Sequence, residues 1–309
     1  MDNIHDKYFK DIFSQPQMVR ELAYELLPTD LVESLNLDSL VLDNSSYINE
    51  NLSENFADLV YSVETKRQKP LKIVLLLEHK SYQERYPHLQ LLKYLIEVWD
   101  KDKSQKKELT TIIPIIFYHG KSRWKYQPMG AYFVKSEDFY LRYIPDFNYH
   151  LIDLSVLPNV KIIGFKDKFL ALSTLILKYS RIKNYLNVIF DELKVIFSDD
   201  IEEQNRLNST FIYIYYTSKL ELDEIVDIFN KVSPKISEYA MTPFQRELNR
   251  SRIEGKMEGR MEGKIEGKIE EQNKAILALH KKGMAESFIA EIFGISTTRV
   301  KEVIESIKL

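Results

Sequence analysis

The fold of this chain is decided by residues 56–80, which read FADLVYSVETKRQKPLKIVLLLEHK. Residues 56–63 alternate between two sets of side chains, which is the two-residue period of a β-strand. The polar stretch 64–70 predicts a turn. Residues 71–77 form an aliphatic run, typical of a strand that is buried on both faces. The segment therefore predicts two successive strands of one sheet.

Both of these strands carry a carboxylate, Asp58 on the first and Glu78 at the end of the second. If the strands pair as an antiparallel hairpin, Asp58 can lie beside Glu78, and Lys80 shares the face of Glu78 because strand side chains alternate. Two carboxylates this close repel each other unless a divalent cation lies between them. Hard oxygen ligands favour Mg²⁺ or Mn²⁺. We therefore predict a metal site with Asp58, Glu78 and the backbone carbonyl of His79 as ligands.

Such a site suggests phosphodiester hydrolysis. A bound cation polarises the scissile phosphate and lowers the pKa of water, and Lys80 would orient or deprotonate the attacking water. Two simpler interpretations stand beside this one. A Glu-x-Lys at a strand end is often a solvated surface pair, and Asp58 alone is compatible with a charge on an edge strand.

Outward from this hairpin, the patterns alternate between helix and strand. Residues 6–27 have the spacing of two short helices, and residues 88–99 form a helix with Leu89, Leu92, Ile96 and Trp99 along one stripe. Further strands are predicted at 112–118, ended by His119-Gly120, and at 149–154. The fold class is therefore α/β, with a mixed central sheet flanked by helices.

Composition narrows the class of protein. The chain has 309 residues, no cysteine, a formal charge of −3 and a pI of about 6.1. The absence of cysteine excludes disulfides and thiolate zinc sites and fits a cytoplasmic protein. The charged N-terminus predicts no signal peptide, and the most apolar run is too short to span a membrane. The mild negative charge argues against broad coating of DNA but permits a local basic groove.

Five stretches carry a family resemblance. They are HDKYFKDIF (5–13), FADLVYSV (56–63), LLLEHKS (75–81), HLQLLKY (88–94) and IIPIIFYHG (112–120). Together they resemble the PD-(D/E)xK nuclease superfamily and, within it, the Rpn family of recombination-promoting nucleases, also called the transposase-31 or YhgA-like group. The resemblance covers residues 5–154. Many family members carry Gln at the position of Lys80, whereas Lys matches the wider superfamily. Gln90 and Tyr94 fall where the family carries Gln and Tyr.

The resemblance over residues 5–154 and the patterns that follow it divide the chain into four parts. Residues 1–165 would form the PD-(D/E)xK core and 166–245 a helical extension. Residues 246–272 contain the repeat EGKMEGRMEGKIEGKIE, a helical linker whose Met257, Met261, Ile265 and Ile269 form a stripe at four-residue spacing; a flexible spacer is the alternative. Residues 273–309 form a helical tail with a helix-turn-helix pattern, in which Ser296 or Thr297 caps the second helix.

The resemblance also implies the function, a metal-dependent DNA endonuclease of low sequence specificity that acts in recombination or on mobile elements. Asp58, Glu78, Lys80 and Gln90 would be its catalytic residues, with Gln90 touching the phosphate or orienting Lys80. The expected partners are DNA and a second copy of the chain, through the repeat or the tail. We expect Mg²⁺ or another divalent cation, no small-molecule cofactor and no membrane.

Two alternatives remain, an inactive DNA-binding protein and an oligomeric interaction protein. Five residues have open roles at this point. Asp6 matches the family start but is equally a helix N-cap, and His119 is a turn residue or a functional one. Asp153 matches a family position without a defined role. Glu21 and Glu25 lie on a helix where related folds place an acidic residue, although an exposed helix face explains them more simply.

Overall fold

The structure is a computed structural model that describes residues 2–43, 57–66, 70–78, 83–198 and 204–306. Its contacts divide the chain into two compact units, Met1–Phe244 and Gln245–Leu309. Within the described ranges, no helix combines the length and the apolar character that crossing a bilayer requires.

The elements follow one another in the order predicted for a mixed α/β fold. In chain order they are α1 (Asp2–Phe13), α2 (Pro16–Leu26), α3 (Thr29–Ser34), β1 (Leu35–Leu42), β2 (Ala57–Thr65), β3 (Pro70–Glu78), α4 (Pro87–Ser104), β4 (Ile112–Tyr118), α5 (Asp138–Leu141), β5 (His150–Asp153), α6 (Asn159–Ile163), α7 (Lys168–Tyr179), α8 (Tyr185–Val188), α9 (Phe190–Ile196), α10 (Gln204–Thr217), α11 (Leu222–Val232), α12 (Pro234–Lys281), α13 (Glu286–Phe293) and α14 (Thr297–Glu305).

The sheet has the strand order β1-β2-β3-β4-β5, with β3 at its centre. Strands β1, β2 and β3 are antiparallel neighbours, and β3, β4 and β5 are parallel neighbours. The predicted mixed sheet and its antiparallel hairpin are therefore confirmed. Strand β1 was not predicted from the sequence. Its pairing with β2 shifts register between Asn36 and Val41, so the alternation of side chains is interrupted within a short segment.

Each face of the sheet has its own apolar core. One face packs against α1 and α2, and α7 and α10 contribute to the same core. The rings of Phe9, Phe13 and Phe117 lie 4.5–5.3 Å apart in it. The opposite face is covered by α4 and contains Val60 of β2 and Tyr118 of β4. The sheet thus has a large helical layer on one face and the single long helix α4 on the other.

The face of helix α4 that packs against the sheet is not the stripe that begins with Leu89 in the sequence analysis. Leu89 and Ile96 are 45% and 46% exposed, so the stripe of Leu89, Leu92, Ile96 and Trp99 is wrong as the buried face. The buried residues are His88, Leu91, Tyr94, Leu95, Val98 and Asp102. Two overlapping apolar stripes run along this helix. The stripe that packs against the sheet includes His88 and Asp102. It is hard to recognise in the sequence because these two residues are polar.

Helix α1 is held by α10, near the other end of the first unit. The ring of Tyr8 stacks on that of Tyr213 at 4.0 Å, and its hydroxyl shares a 2.9 Å hydrogen bond with Thr210. Burial raises the pKa of Tyr8 to about 12, so this phenol stays neutral. The first and last parts of this unit are therefore packed together.

The second unit contains the EGK repeat and the tail. The repeat lies within α12, where Met257, Met261 and Ile269 are 61%, 64% and 43% exposed; the side chain of Ile265 lies outside the described residues. Helices α13 and α14 are joined through Gly294, whose φ of +64° is a left-handed conformation that glycine adopts easily. Ser296 caps α14 by accepting the Arg299 N–H at 3.2 Å, as predicted.

Two cations of α14 have acidic neighbours within this unit. Arg299 pairs with Glu302 at 3.0 Å, and Lys301 approaches Glu286 at 3.9 Å. A phosphate that bound at the start of α14 would therefore compete with these carboxylates.

Candidate active site

The register of the hairpin fixes the positions of Asp58 and Glu78. Asp58 pairs with Leu76, so Glu78 lies two residues further along the neighbouring strand. Residues directly opposite share a face, as do residues two apart on one strand. Positions 58 and 78 are therefore diagonal neighbours on one face of the sheet, rather than directly opposite each other.

This shared face is the one covered by α4. Val60, two residues after Asp58, belongs to the core under α4, and Tyr118, the register partner of Glu78, belongs to the same core. The two carboxylate positions therefore lie on the α4 side, at the carboxyl ends of β3 and β4. In open α/β sheets, ligands bind at this edge.

Gln90 and Tyr94 lie on the helix that covers this face. Tyr94 is buried in the same core as Val60 and Tyr118. Gln90 donates from Nε2 to Oε2 of Glu84 at 2.9 Å, and Oε1 of Glu84 accepts the N–H of Tyr86 at 3.2 Å. Glu84 thus orients the amide of Gln90 at the start of α4. The sequence analysis did not identify Glu84, because its contact with Gln90 depends on how the chain enters the helix.

Loops that follow β3, β4 and β5 meet at this edge. Gln83 donates to the backbone carbonyl of Arg123 in the loop after β4. The carboxylate of Asp153, at the end of β5, accepts the N–H of Trp124 at 2.8 Å and that of Ser155 at 2.9 Å. Asp153 therefore holds the loop that contains buried Trp124.

The His119-Gly120 pair ends β4 next to α1. A Cβ at Gly120 would lie 2.2 Å from the hydroxyl oxygen of Tyr118, so the chain can pass there only without a side chain. His119 is 1% exposed, and its ring centre lies 5.6 Å from that of His5. His5 in turn shares a hydrogen bond with the hydroxyl of Tyr213. This histidine pair was missed, because its members are 114 positions apart in the sequence.

The remaining acidic candidates have structural partners. Asp6 lies inside α1 and pairs with Lys10 at 3.3 Å, so its interpretation as an N-cap is wrong. Glu25 accepts the N–H of Lys166 at 3.0 Å, and Glu21 lies 3.7 Å from Arg20. Both residues are half-buried, so neither lies on a fully exposed helix face.

The structure describes only part of the proposed metal site. The structure gives the backbone pairings of Asp58 and Glu78, whereas His79 and Lys80 lie outside the described residues. Elsewhere in the described chain, no group of three or more His, Asp or Glu side chains is arranged to hold a metal ion. Diagonal neighbours on antiparallel strands are roughly 7–8 Å apart between Cα atoms. Carboxylates are the kind of hard oxygen ligand that Mg²⁺ prefers.

Comparisons with known proteins agree on one family. The chain is 28% identical to the recombination-promoting nuclease RpnD of Escherichia coli O157:H7, over 78% of this chain and 93% of that protein. It is 26% identical to RpnA of E. coli K12, a protein of the same description, over 78% of this chain and 82% of the relative. It is also 24% identical to the inactive recombination-promoting nuclease-like protein RpnE of E. coli K12, over 68% of this chain and 69% of that protein.

No solved structure matches the chain significantly. A family model matches residues 3–208, which include all the strands and every candidate site residue named above. Since this match covers well over half of the chain, the protein belongs to the family described as "Putative transposase, YhgA-like".

Proposed function

We propose that this protein is a metal-dependent endonuclease that hydrolyses phosphodiester bonds of DNA. The observation that supports the proposal most directly is the register of β2 and β3. It puts the positions of Asp58 and Glu78 on one face, at the carboxyl edge of the parallel strands. Two acidic positions so placed are costly for a fold unless a cation or a proton neutralises them.

In this proposal, the carboxylates of Asp58 and Glu78 and the carbonyl of His79 hold the cation. When bound, a divalent cation stabilises the negative charge that develops on the phosphate. Lys80 orients or deprotonates the attacking water, and it offsets the negative charge that develops on the phosphate. Gln90, held by Glu84, positions a phosphate oxygen. The reaction adds water across one P–O bond, so phosphorus gains an oxygen and the leaving oxygen gains a proton.

The names of the relatives support the biological setting. RpnD and RpnA are described as recombination-promoting nucleases, so we propose that this chain also cuts DNA during recombination. Low sequence specificity is part of the proposal. The cations at the start of α14 have acidic neighbours, and the formal charge of the whole chain is −3.

A plasmid assay tests the proposal. Purified protein is incubated with supercoiled plasmid and Mg²⁺, Mn²⁺, Ca²⁺ or EDTA, and the nicked and linear forms are separated on a gel. We expect nicking with Mg²⁺ or Mn²⁺ and none with EDTA. Cutting that is insensitive to EDTA would disprove the metal requirement. A folded protein that cuts with none of the cations would instead support the second candidate.

The second candidate is an inactive protein that binds DNA or assembles with itself. It is favoured by the relative RpnE, which is described as inactive, and by the exposed stripe of Met257, Met261 and Ile269 on α12. Such a stripe on one helix face is typical of a surface that packs against another helix. Self-association is compatible with the nuclease proposal as well, because two single-metal sites are needed to cut both strands at nearby points.

We predict that deleting residues 254–309 converts a dimer into a monomer. The deletion leaves the unit Met1–Phe244 complete, so metal-dependent nicking should remain while double-strand breaks are lost. Light scattering measures the mass, and a plasmid gel gives the ratio of linear to nicked product. As a second variant, Met257→Glu/Met261→Glu in the full chain should also give a monomer. A dimer in both variants would place the interface within the first unit.

A further inference from the structure

A pocket of about 300 Å³ opens on the first unit, on the side away from α4. Four segments that are distant in sequence build it: the start of α1, the loop after β4, the turn after α7 and the end of α10. Its lining residues include Lys121, Ser180, Arg181, Lys183, Thr217 and Lys219.

The pocket is cationic, although the chain as a whole is acidic. Four of its lining residues are Lys or Arg and none is Asp or Glu, whereas the formal charge of the chain is −3. Cations gathered in a concave surface create a positive local potential that attracts anions. The hydroxyls of Ser180 and Thr217 donate to the carbonyls of Leu177 and Tyr213. The charged side chains are therefore the groups that recognise a ligand.

A backbone hydrogen bond joins two of the segments that form the pocket. The N–H of Asn184 donates to the carbonyl of Ser218 at 3.0 Å, which ties the turn after α7 to the end of α10. Asn184 and Lys219 both have left-handed backbones, with φ of +55° and +56°. Asn tolerates this conformation, whereas for a Lys it costs about 1–2 kcal/mol. Lys219 therefore holds a conformation that a residue such as Asn would adopt at lower cost.

One residue of the pocket lies in the loop that follows β4, the strand next to β3. Lys121 follows the end of β4 by three residues, and Tyr118 at that end pairs with Glu78. His5, which lines the pocket, contacts the ring of His119.

We propose that this pocket binds a phosphate group, supplied either by the DNA backbone or as free phosphate. Lys and Arg ligands suit a phosphate, since ammonium and guanidinium groups are its usual partners in proteins. The DNA source rests on the proposed nuclease function, whereas the binding of a phosphate does not.

The test compares two pairs of substitutions that remove the same charge. Lys121→Gln/Lys183→Gln changes the pocket, and Lys161→Gln/Lys231→Gln changes two exposed lysines outside it. Fluorescence anisotropy measures the affinity for a short DNA duplex in EDTA, where no cleavage occurs, across a series of NaCl concentrations. Titration calorimetry with inorganic phosphate measures binding of the free anion.

If the pocket holds a backbone phosphate, the slope of log affinity against log salt should fall by about 1 in the pocket pair and stay unchanged in the control pair. If it holds free phosphate, the calorimetric signal disappears in the pocket pair alone while the slope for DNA stays the same. The proposal is overturned if the two pairs behave alike in both measurements.

Lys219→Asn gives an independent check, because Asn accepts the left-handed backbone. We expect this variant to unfold at a higher temperature than the native protein and to bind phosphate more weakly. Unchanged binding of both DNA and phosphate would contradict a role for Lys219. These experiments measure binding without metal. If the plasmid assay disproved the nuclease proposal, they would therefore still show whether the pocket binds phosphate.

Discussion

Asp58→Asn should lower the rate of metal-dependent plasmid nicking by about 10²-fold or more, as expected when one group that stabilises a transition-state charge is removed. Asn has the shape of Asp but lacks its negative charge, so the strand is preserved while a ligand for the cation is weakened. Glu78→Gln should have a similar effect, because position 78 lies diagonally across from position 58.

The control for this prediction lies on the same strand. Glu64, near the other end of β2, is exposed and pairs with Pro70, so Glu64→Gln should leave the rate unchanged. Cleavage rates are measured under single-turnover conditions, and circular dichroism checks that each variant is folded. Native-level cutting by folded Asp58→Asn would remove this residue from the site. An equal loss in Glu64→Gln would show that the assay detects a general change in charge.

Lys80→Ala should lower the rate of the chemical step by about 10²-fold while the affinity for DNA is nearly retained. The reason is its position two residues after Glu78 in the sequence, for which strand alternation predicts a place on the face of the carboxylates, beside the attacking water. Affinity is measured by anisotropy in EDTA, and the chemical step by single-turnover cleavage of bound DNA.

Two further variants sharpen the result for Lys80. Lys72→Ala, near the start of β3, removes the same charge at the opposite end of the strand and should change neither quantity. Lys80→Gln introduces the residue that many family members carry there. It should retain more activity than Lys80→Ala, because an amide can orient a water without accepting its proton. A collapse of affinity in Lys80→Ala, with an unchanged rate for bound DNA, would assign Lys80 to binding instead.

The central strands were predictable because their signal is local. Strands β2 to β5 follow from alternation, aliphatic runs and the turns between them, and each was expected within two residues of its observed bounds. Strand β1 was missed because its irregular register hides the alternation. The buried stripe of α4 was wrong because two stripes compete on that helix, and only packing against Val60 and Tyr118 decides between them.

The residues of the candidate site could be identified from the sequence, whereas the register that relates them and the side chains that contact them could not. A hairpin places Asp58 near Glu78 whatever its details, whereas the diagonal offset depends on a register that the sequence alone does not set. The contact of Glu84 with Gln90 and the pairing of His5 with His119 need the folded chain. The cationic pocket has no sequence signal, because its four segments carry ordinary mixtures of charged residues.

The packing of α1 against α10 has a consequence for synthesis on the ribosome. Tyr8 contacts Thr210 and Tyr213, so the first helix cannot complete its packing until about two hundred further residues have been made. At roughly 5–20 residues per second, this takes about 10–40 s. During that time the apolar side chains of α1, among them Phe9 and Phe13, have no finished core to enter. The nascent chain therefore exposes apolar side chains near its N-terminus until α10 has emerged.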